Sequence, residues 1–226
     1  MKILNNDKGY SLMEIIAGLP LVTLVFVIFG IGIVHFAVTF QEVKLYTQLQ
    51  EDLFNAIDIM RHGYMVDGVT DNEGLIGLST AKSIEIGSSR NSIIIKPLVL
   101  NPDLEHVYYV QYIVNDDMQL ETEGLYGLNR YQKKIIFPST PIKYIDGKPQ
   151  FTIKNPREVW SITPNTGDEN GNPLMVDIKL VGQVRFREKI RNQSNAEDIK
   201  KNTRTITYET SIYLGNAHAN AVEQEE

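Results

Sequence analysis

The sequence predicts an α+β protein, with a long N-terminal α-helix, half apolar and half amphipathic, packed on an antiparallel β-rich domain. Three observations predict it. Residues 15–41 contain no Asp, Glu, Lys or Arg. Tyr46, Leu49, Leu53, Ile57, Met60 and Tyr64 then recur at spacings of three and four, the mark of one buried helix face. From about residue 67 the apolar residues come in short β-branched or aromatic runs between Pro, Gly, Asn and Asp, as strands and turns require.

The first helix begins with the charge-free stretch, 27 residues long. An α-helix needs roughly 20 apolar residues to cross the hydrocarbon layer, so this one is expected to span a membrane. A cleavable secretory signal has a shorter apolar core, about 7 to 15 residues, with a small-residue cleavage site after it. Phe36-Ala37-Val38-Thr39-Phe40 offers no such site, and the segment is expected to be retained. Lys2, Lys8 and the starting amine precede it, which places that end in the cytoplasm and the bulk of the chain outside. His35, late in the run, reads as a neutral residue near the outer interface.

Glu14 sits just inside this apolar helix. An ionised carboxylate in hydrocarbon costs a few kcal/mol and persists where it is shallow, neutral or paired. Two readings stand side by side. Ser11-x-x-Glu14 fits a capping box, in which Ser11 caps the helix and Glu14 reaches back. Alternatively, Glu14 has a partner in another chain.

Lys8-Gly9-Tyr10-Ser11-Leu12-Met13-Glu14 resembles the class III signal of type IV prepilins and pseudopilins: a short basic leader ending in Gly, an aromatic, a hydroxyl residue, an apolar pair and a Glu. The resemblance is strong over the first 30 or so residues. It implies that a membrane prepilin peptidase cuts between Gly9 and Tyr10 and N-methylates Tyr10. It further implies that Glu14, then the fifth residue, pairs with the terminal amine of a neighbouring pilin or pseudopilin subunit. Other pilin-like subunits, an inner-membrane assembly platform and membrane lipid are the partners implied. A buried charge pair of this kind fixes register, because either charge left alone in low dielectric is costly. Pro20 departs from the family pattern, in which the helix proline usually lies further along; a kink or loosened turn near Ile16 is expected.

Beyond the apolar half, Lys44, Gln48, Gln50, Asp52, Asp58 and Arg61 occupy other faces than the apolar stripe. The helix is expected to run to about Met65, with Gly63 and Gly68 as stop signals. Strands are expected at residues 93–95, 107–114, 135–137 and 151–153. The clearest alternation comes last. Val176, Ile178, Leu180, Val184 and Phe186 alternate with polar residues, and so do Ile206, Tyr208, Ile212 and Leu214, which predicts a long hairpin. Residues 188–202 between them are mostly polar and read as a protruding loop.

These elements give a leader at 1–9, a transmembrane and assembly helix at 10–40, an amphipathic helix at 41–66, a β-rich domain at 67–215 and an acidic, disordered tail at 216–226. Within the family, the length and the strand-rich region look more like the large minor subunits, the J-type pseudopilins and W-type minor pilins. The segments 125–130 and 210–216 are similar to strands of that group.

Composition narrows the function. The chain has no cysteine, so neither disulfides nor thiol chemistry is available. Its formal net charge is -6, and loss of Lys2, Lys8 and Asp7 with the leader would make it -7, which argues against a nucleic-acid-binding surface overall. Locally, residues 185–204 carry seven cationic and three acidic side chains. Arg185, Arg187, Lys189, Arg191, Lys200 and Lys201 are therefore the candidates for a DNA contact, against the simpler reading of a solvated hairpin tip. Asp168 and Asn170, in Asn165-Thr166-Gly167-Asp168-Glu169-Asn170-Gly171, are the calcium candidates, against a plain turn, since the twelve-residue spacing of calcium hands is missing. No cofactor or other metal is expected. His35, His62, His106 and His218 are scattered, with no H-E-x-x-H or G-x-S-x-G pattern, so an enzyme is not expected. The expected role is a minor pilin or pseudopilin subunit. A membrane-anchored binding or adhesion module and a DNA-uptake pilin are the alternatives.

Overall fold

The structure, a computed structural model, describes residues 12–63, 77–97, 109–126, 130–145, 147–163, 173–186 and 202–214. The chain divides into two compact units, Met1–Lys44 and Leu45–Glu226.

One helix, α1, spans Leu12–His62 and passes through Pro20 without interruption. Proline has no amide hydrogen, so the Ile16 carbonyl loses its usual donor there, but the segment stays helical. The helix stops at the first of the two expected signals. Gly63 adopts φ 90°, and its N–H donates to the Ile59 carbonyl at 2.7 Å, the left-handed cap that glycine forms most readily. Tyr64 and Met65, expected to continue the helix, lie outside the described residues.

Within the second unit, the predicted stripe is the buried one. Leu49, Leu53, Ala56 and Met60 have no exposed surface, with Leu45, Ile57 and Ile59 packed at its margins. Spacings of four, three and four keep these side chains on one face. Asp52 is the correction. Read as a residue of another face, it is only 3% exposed. It lies three residues after Leu49 and four before Ala56, which places it on the packed face.

Two antiparallel sheets flank this helical segment. The first orders β1 (Ala81–Ile86), β2 (Ser92–Pro97), β3 (Tyr109–Val114), β4 (Leu120–Tyr126) and β5 (Arg130–Phe137) as a meander. Register places Ile84 beside Ile95, Ile95 beside Val110, Ile93 beside Tyr112 and Val114 beside Leu120, so one face is continuously apolar. A register shift lets Leu120 face Phe137 while Glu121 faces Ile135. The extra residue, Ile136, is buried as fully as Phe137.

A small ribbon follows, β6 (Tyr144–Ile145) with β7 (Lys148–Pro149). The second sheet centres on β10 (Met175–Arg185), which pairs with β11 (Thr203–Tyr213) along its whole length. On its other edge β10 pairs with β8 (Phe151–Ile153) at Gly182–Val184 and with β9 (Trp160–Ile162) at Val176–Ile178. The long hairpin therefore forms as predicted. Val176, Ile178, Leu180 and Val184 are buried, while Lys179 and Glu209 pair at 2.6 Å on the outer face. The four other expected runs fall in β2, β3, β5 and β8, while β1, β4, β6, β7 and β9 carry no comparable apolar run in the sequence. The expected loop at 188–202 lies outside the described residues except for Asn202, and the tail lies outside them entirely.

Candidate functional site

The apolar part of α1 has an unusual surface. Leu12, Phe26, Phe29 and Phe36 are 66–77% exposed, and the most apolar window of the helix has no buried share and a mean hydropathy of 2.6. A helix that is apolar on every face cannot be kept in water by one packed stripe. This helix is long and apolar enough to cross a membrane. The two threonine hydroxyls of its apolar part are satisfied within it: Thr23 donates to the Leu19 carbonyl at 2.8 Å, and Thr39 to the His35 carbonyl at 3.0 Å. Such internal satisfaction is what hydrocarbon demands, because no water is there to accept the hydroxyl proton.

Glu14 belongs to the first turns of α1, two residues after Leu12. Between Lys8 and Glu42 it is the only Asp, Glu, Lys or Arg in the chain. Gly9 and Tyr10, the candidate processing residues, and the cap candidate Ser11 lie outside the described residues.

The second unit fastens its helical segment at two levels. Near the N-terminal end of that segment, Ser139 donates its hydroxyl to Asp52 Oδ1, and Gln48 Nε2 donates to Thr140 Oγ1 at 2.8 Å. Asp52 Oδ2 has no hydrogen-bond partner among the described residues. Burial raises the Asp52 pKa from its ordinary value of 3.8, and the bonds from Ser139 only partly oppose that. At the helix end, Tyr112 Oη donates to the Ile59 carbonyl at 3.1 Å, and Ser79 Oγ to the Arg61 carbonyl at 2.7 Å. The Ser79 bond satisfies a carbonyl that a helix C-terminus leaves without a partner, and the Tyr112 bond adds a second donor to the Ile59 carbonyl, which already accepts from Gly63 N–H.

Of the DNA candidates, only Arg185 is described. It ends β10 half-buried, with its N–H donating to the Gln150 carbonyl at 3.0 Å. It lines an open cleft of about 390 Å³ with Lys148 and Lys154, but also with Asp116 and Asp117. That mixture of signs does not make a basic track. Arg187, Lys189, Arg191, Lys200 and Lys201 lie outside the described residues, as do the calcium candidates Asp168 and Asn170. Among the described residues no three His, Asp or Glu side chains gather into a metal-binding group.

Periodicity missed two features that matter. Asp52 could have been found by counting three from Leu49 and four from Ala56. The second is a larger cleft of about 660 Å³ between the β1–β2 turn and β9, lined by Arg90, Arg157, Lys179, Glu158, Trp160 and Ile162 among others. No single run of sequence contains it, because its walls come from residues 86–90, 157–162 and 179.

Comparison with known protein families, with curated proteins and with solved structures finds no match for this chain. What defines it is its architecture: one long N-terminal helix, apolar over its first half, whose second half packs on antiparallel β-sheets.

Proposed function

We propose that this chain is a type IV pilin-like minor subunit, a minor pilin or pseudopilin. It is made with a leader ending at Gly9, cut before Tyr10 by a prepilin peptidase and methylated there. The apolar part of α1 then crosses the membrane with its N-terminus on the cytoplasmic side. Glu14 pairs with the terminal amine of a neighbouring subunit when the helix enters a pilus or pseudopilus.

One observation carries this reading: the ordered set Lys8-Gly9-Tyr10-Ser11-Leu12-Met13-Glu14 stands immediately before a helix that contains no other Asp, Glu, Lys or Arg until Glu42. A plain anchor has no use for that carboxylate, which disfavours insertion by a few kcal/mol if left unpaired. Subunit assembly supplies the opposite charge in the same low-dielectric layer, where attraction is strongest. The β-rich unit then makes the subunit-specific contacts, and the role is structural.

Mass spectrometry of the N-terminal peptide tests this after co-expression of the full chain with a prepilin peptidase, alongside Gly9→Leu. The reading expects a peptide beginning at N-methylated Tyr10 in the wild type alone. Intact termini in both would leave a membrane-anchored module and remove the pilin reading. Glu14→Gln separates processing from assembly: cleavage should persist while incorporation into filaments is lost.

A further inference from the structure

The cleft between the β1–β2 turn and β9 is set apart by its charge and by its open strand edge. Among the described residues three cations line it, Arg90, Arg157 and Lys179, against one carboxylate, Glu158. That balance is opposite in sign to the net charge of the chain, which is -6. Lys179 is held by Glu209 at 2.6 Å. Arg90 and Arg157 are both exposed, and neither guanidinium has a hydrogen bond or ion pair to a described residue.

Arg90 occupies a costly position. Its φ is 59°, in the left-handed region that glycine and asparagine tolerate and long side chains seldom adopt. Its N–H closes the turn on the Gly87 carbonyl at 2.8 Å, and Asn91 fastens the same turn to β3: its carbonyl accepts from Val114 N–H at 2.8 Å and its side-chain Nδ2 donates to the Val114 carbonyl at 3.2 Å. Arg90 is thus held in strained backbone in the wall of the cleft, and such strain clusters at functional positions.

β9 borders the cleft along its whole length, with Trp160, Ser161 and Ile162 all in the wall. Its hydrogen bonds run to one side only. Ser161 lies opposite Asp177, Lys179 N–H donates to the Val159 carbonyl, and Thr163 N–H donates to the Met175 carbonyl. In an antiparallel ladder the intervening residues point the other way. The amide and carbonyl groups of Trp160 and Ile162 therefore face away from β10, with no strand paired to them among the described residues, and those of Ile162, the exposed residue, form the open part of this edge. Ile162 is 46% exposed beside it, and Trp160, 3% exposed, has no acceptor for its Nε1 proton among the described residues.

We propose that this cleft binds an acidic, extended peptide segment of a partner protein. The segment adds as a strand to the free edge of β9, and its carboxylates pair with Arg90 and Arg157. Backbone hydrogen bonds supply affinity in this mode, and flanking side chains supply selection. A guanidinium takes a carboxylate through two parallel N–H bonds, which fits an acidic side chain better than a point charge would. The inference is independent of the assembly role of Glu14.

The test is fluorescence anisotropy with the full chain in uncharged detergent micelles. The probe is a labelled octapeptide alternating Thr and Glu, capped at both ends. It should bind, and its twin with Gln for Glu should bind at least tenfold more weakly. Arg90→Asn with Arg157→Gln should weaken the acidic peptide at least tenfold, whereas Lys82→Gln, an exposed cation on β1, should not. Arg90→Asn suits the left-handed backbone, so the melting temperature of that variant should hold and show that the fold survives. N-methylation of every second peptide amide should abolish binding in one register and spare it in the other, since only one edge of the added strand meets β9.

Equal binding by the Gln twin, or full binding by the double variant, would overturn the proposal. Loss in neither register of methylation would overturn strand addition. Displacement by inorganic phosphate as readily as by unlabelled peptide would make the cleft a general anion site and overturn peptide recognition. Binding that appears only after removal of residues 217–226 would assign the cleft to the chain's own acidic tail and overturn an external partner.

Discussion

Gly182 of β10 lies against Leu53 of α1 so closely that a Cβ at position 182 would come within 2.7 Å of Leu53 Cδ1, and within 2.9 Å of Leu49 Cδ1. Both leucines have no exposed surface. The missing side chain in the centre of the longest hairpin is what admits the helix stripe. Gly182 interrupts the apolar alternation of Val176, Ile178, Leu180 and Val184, and this interruption is a packing requirement.

Gly182→Ala must therefore displace two leucine methyl groups inside a filled core. The expected loss is about 1–2 kcal/mol, and Gly182→Val should lose more. Denaturant titration of the full chain in detergent checks this, and an unchanged midpoint for the valine variant would contradict the packing described here.

Gly77 meets the end of the helix even more closely. A Cβ there would fall 2.4 Å from Gly63 N and 2.5 Å from the Arg61 carbonyl oxygen, both backbone atoms. Side-chain methyls can swing aside, whereas a capped helix end cannot. Gly77→Ala should cost about 3 kcal/mol or more, exceeding Gly182→Ala, and should also disturb the Ser79 bond to the Arg61 carbonyl. The order of the two alanine variants in thermal melting is the test.

Asp52 gives the fold a pH dependence whose sign follows from burial. Its folded pKa is raised above the ordinary carboxylate value of 3.8, chiefly by desolvation. The folded state thus holds this proton more tightly than the unfolded one. Stability from Asp52 is fully present below the unfolded pKa and declines as pH rises through the folded value. Asp52→Asn keeps an oxygen for the Ser139 hydroxyl and carries no charge. It should flatten stability across the acidic range and gain roughly 1 kcal/mol at pH 7 relative to wild type. Melting curves from pH 4 to 7 measure both, and a variant with the wild-type slope would refute the assignment.

Glu121 is the converse case, a buried carboxylate with partners. It is 5% exposed, accepts a hydrogen bond from Asn115 Nδ2 at 2.5 Å and pairs with Lys133 Nζ at 2.6 Å. The hydrogen bond and charge of Glu121 raise the Lys133 pKa above 10.5, so the lysine's contribution is present at neutral pH and is lost as pH rises through that raised value. Lys133 is about half exposed, and solvent screens the pair. Lys133→Met should cost about 1–2 kcal/mol because it leaves the carboxylate less compensated, and adding Glu121→Gln should restore much of that. A double-mutant cycle with no coupling would show the pair to be inert.

The sequence by itself determined the elements whose periodicity answers to solvent. The charge-free 27 residues, the stripe of Leu49, Leu53 and Met60, and the alternation along β10 and β11 were each legible, because water and hydrocarbon sort side chains locally at periods of about 3.6 and 2. The candidate processing and pairing residues Gly9, Tyr10 and Glu14 were legible for a related reason: they are consecutive or nearly so.

Tertiary structure decided what depends on residues far apart in sequence. That Asp52, placed by its spacing on the packed face, would meet Ser139 from 87 residues later has no signal in the helix's own period. That Gly182 and Gly77 would each sit against α1 depended on which backbones approach, a matter of three-dimensional volume that leaves no period in the chain. The split of the strands into a five-stranded meander and a sheet centred on β10 was likewise set by register and packing. The cleft beside β9 joins a turn, a strand edge and two arginines with no ion pair among the described residues, all from separate segments, and only the folded chain brings them together.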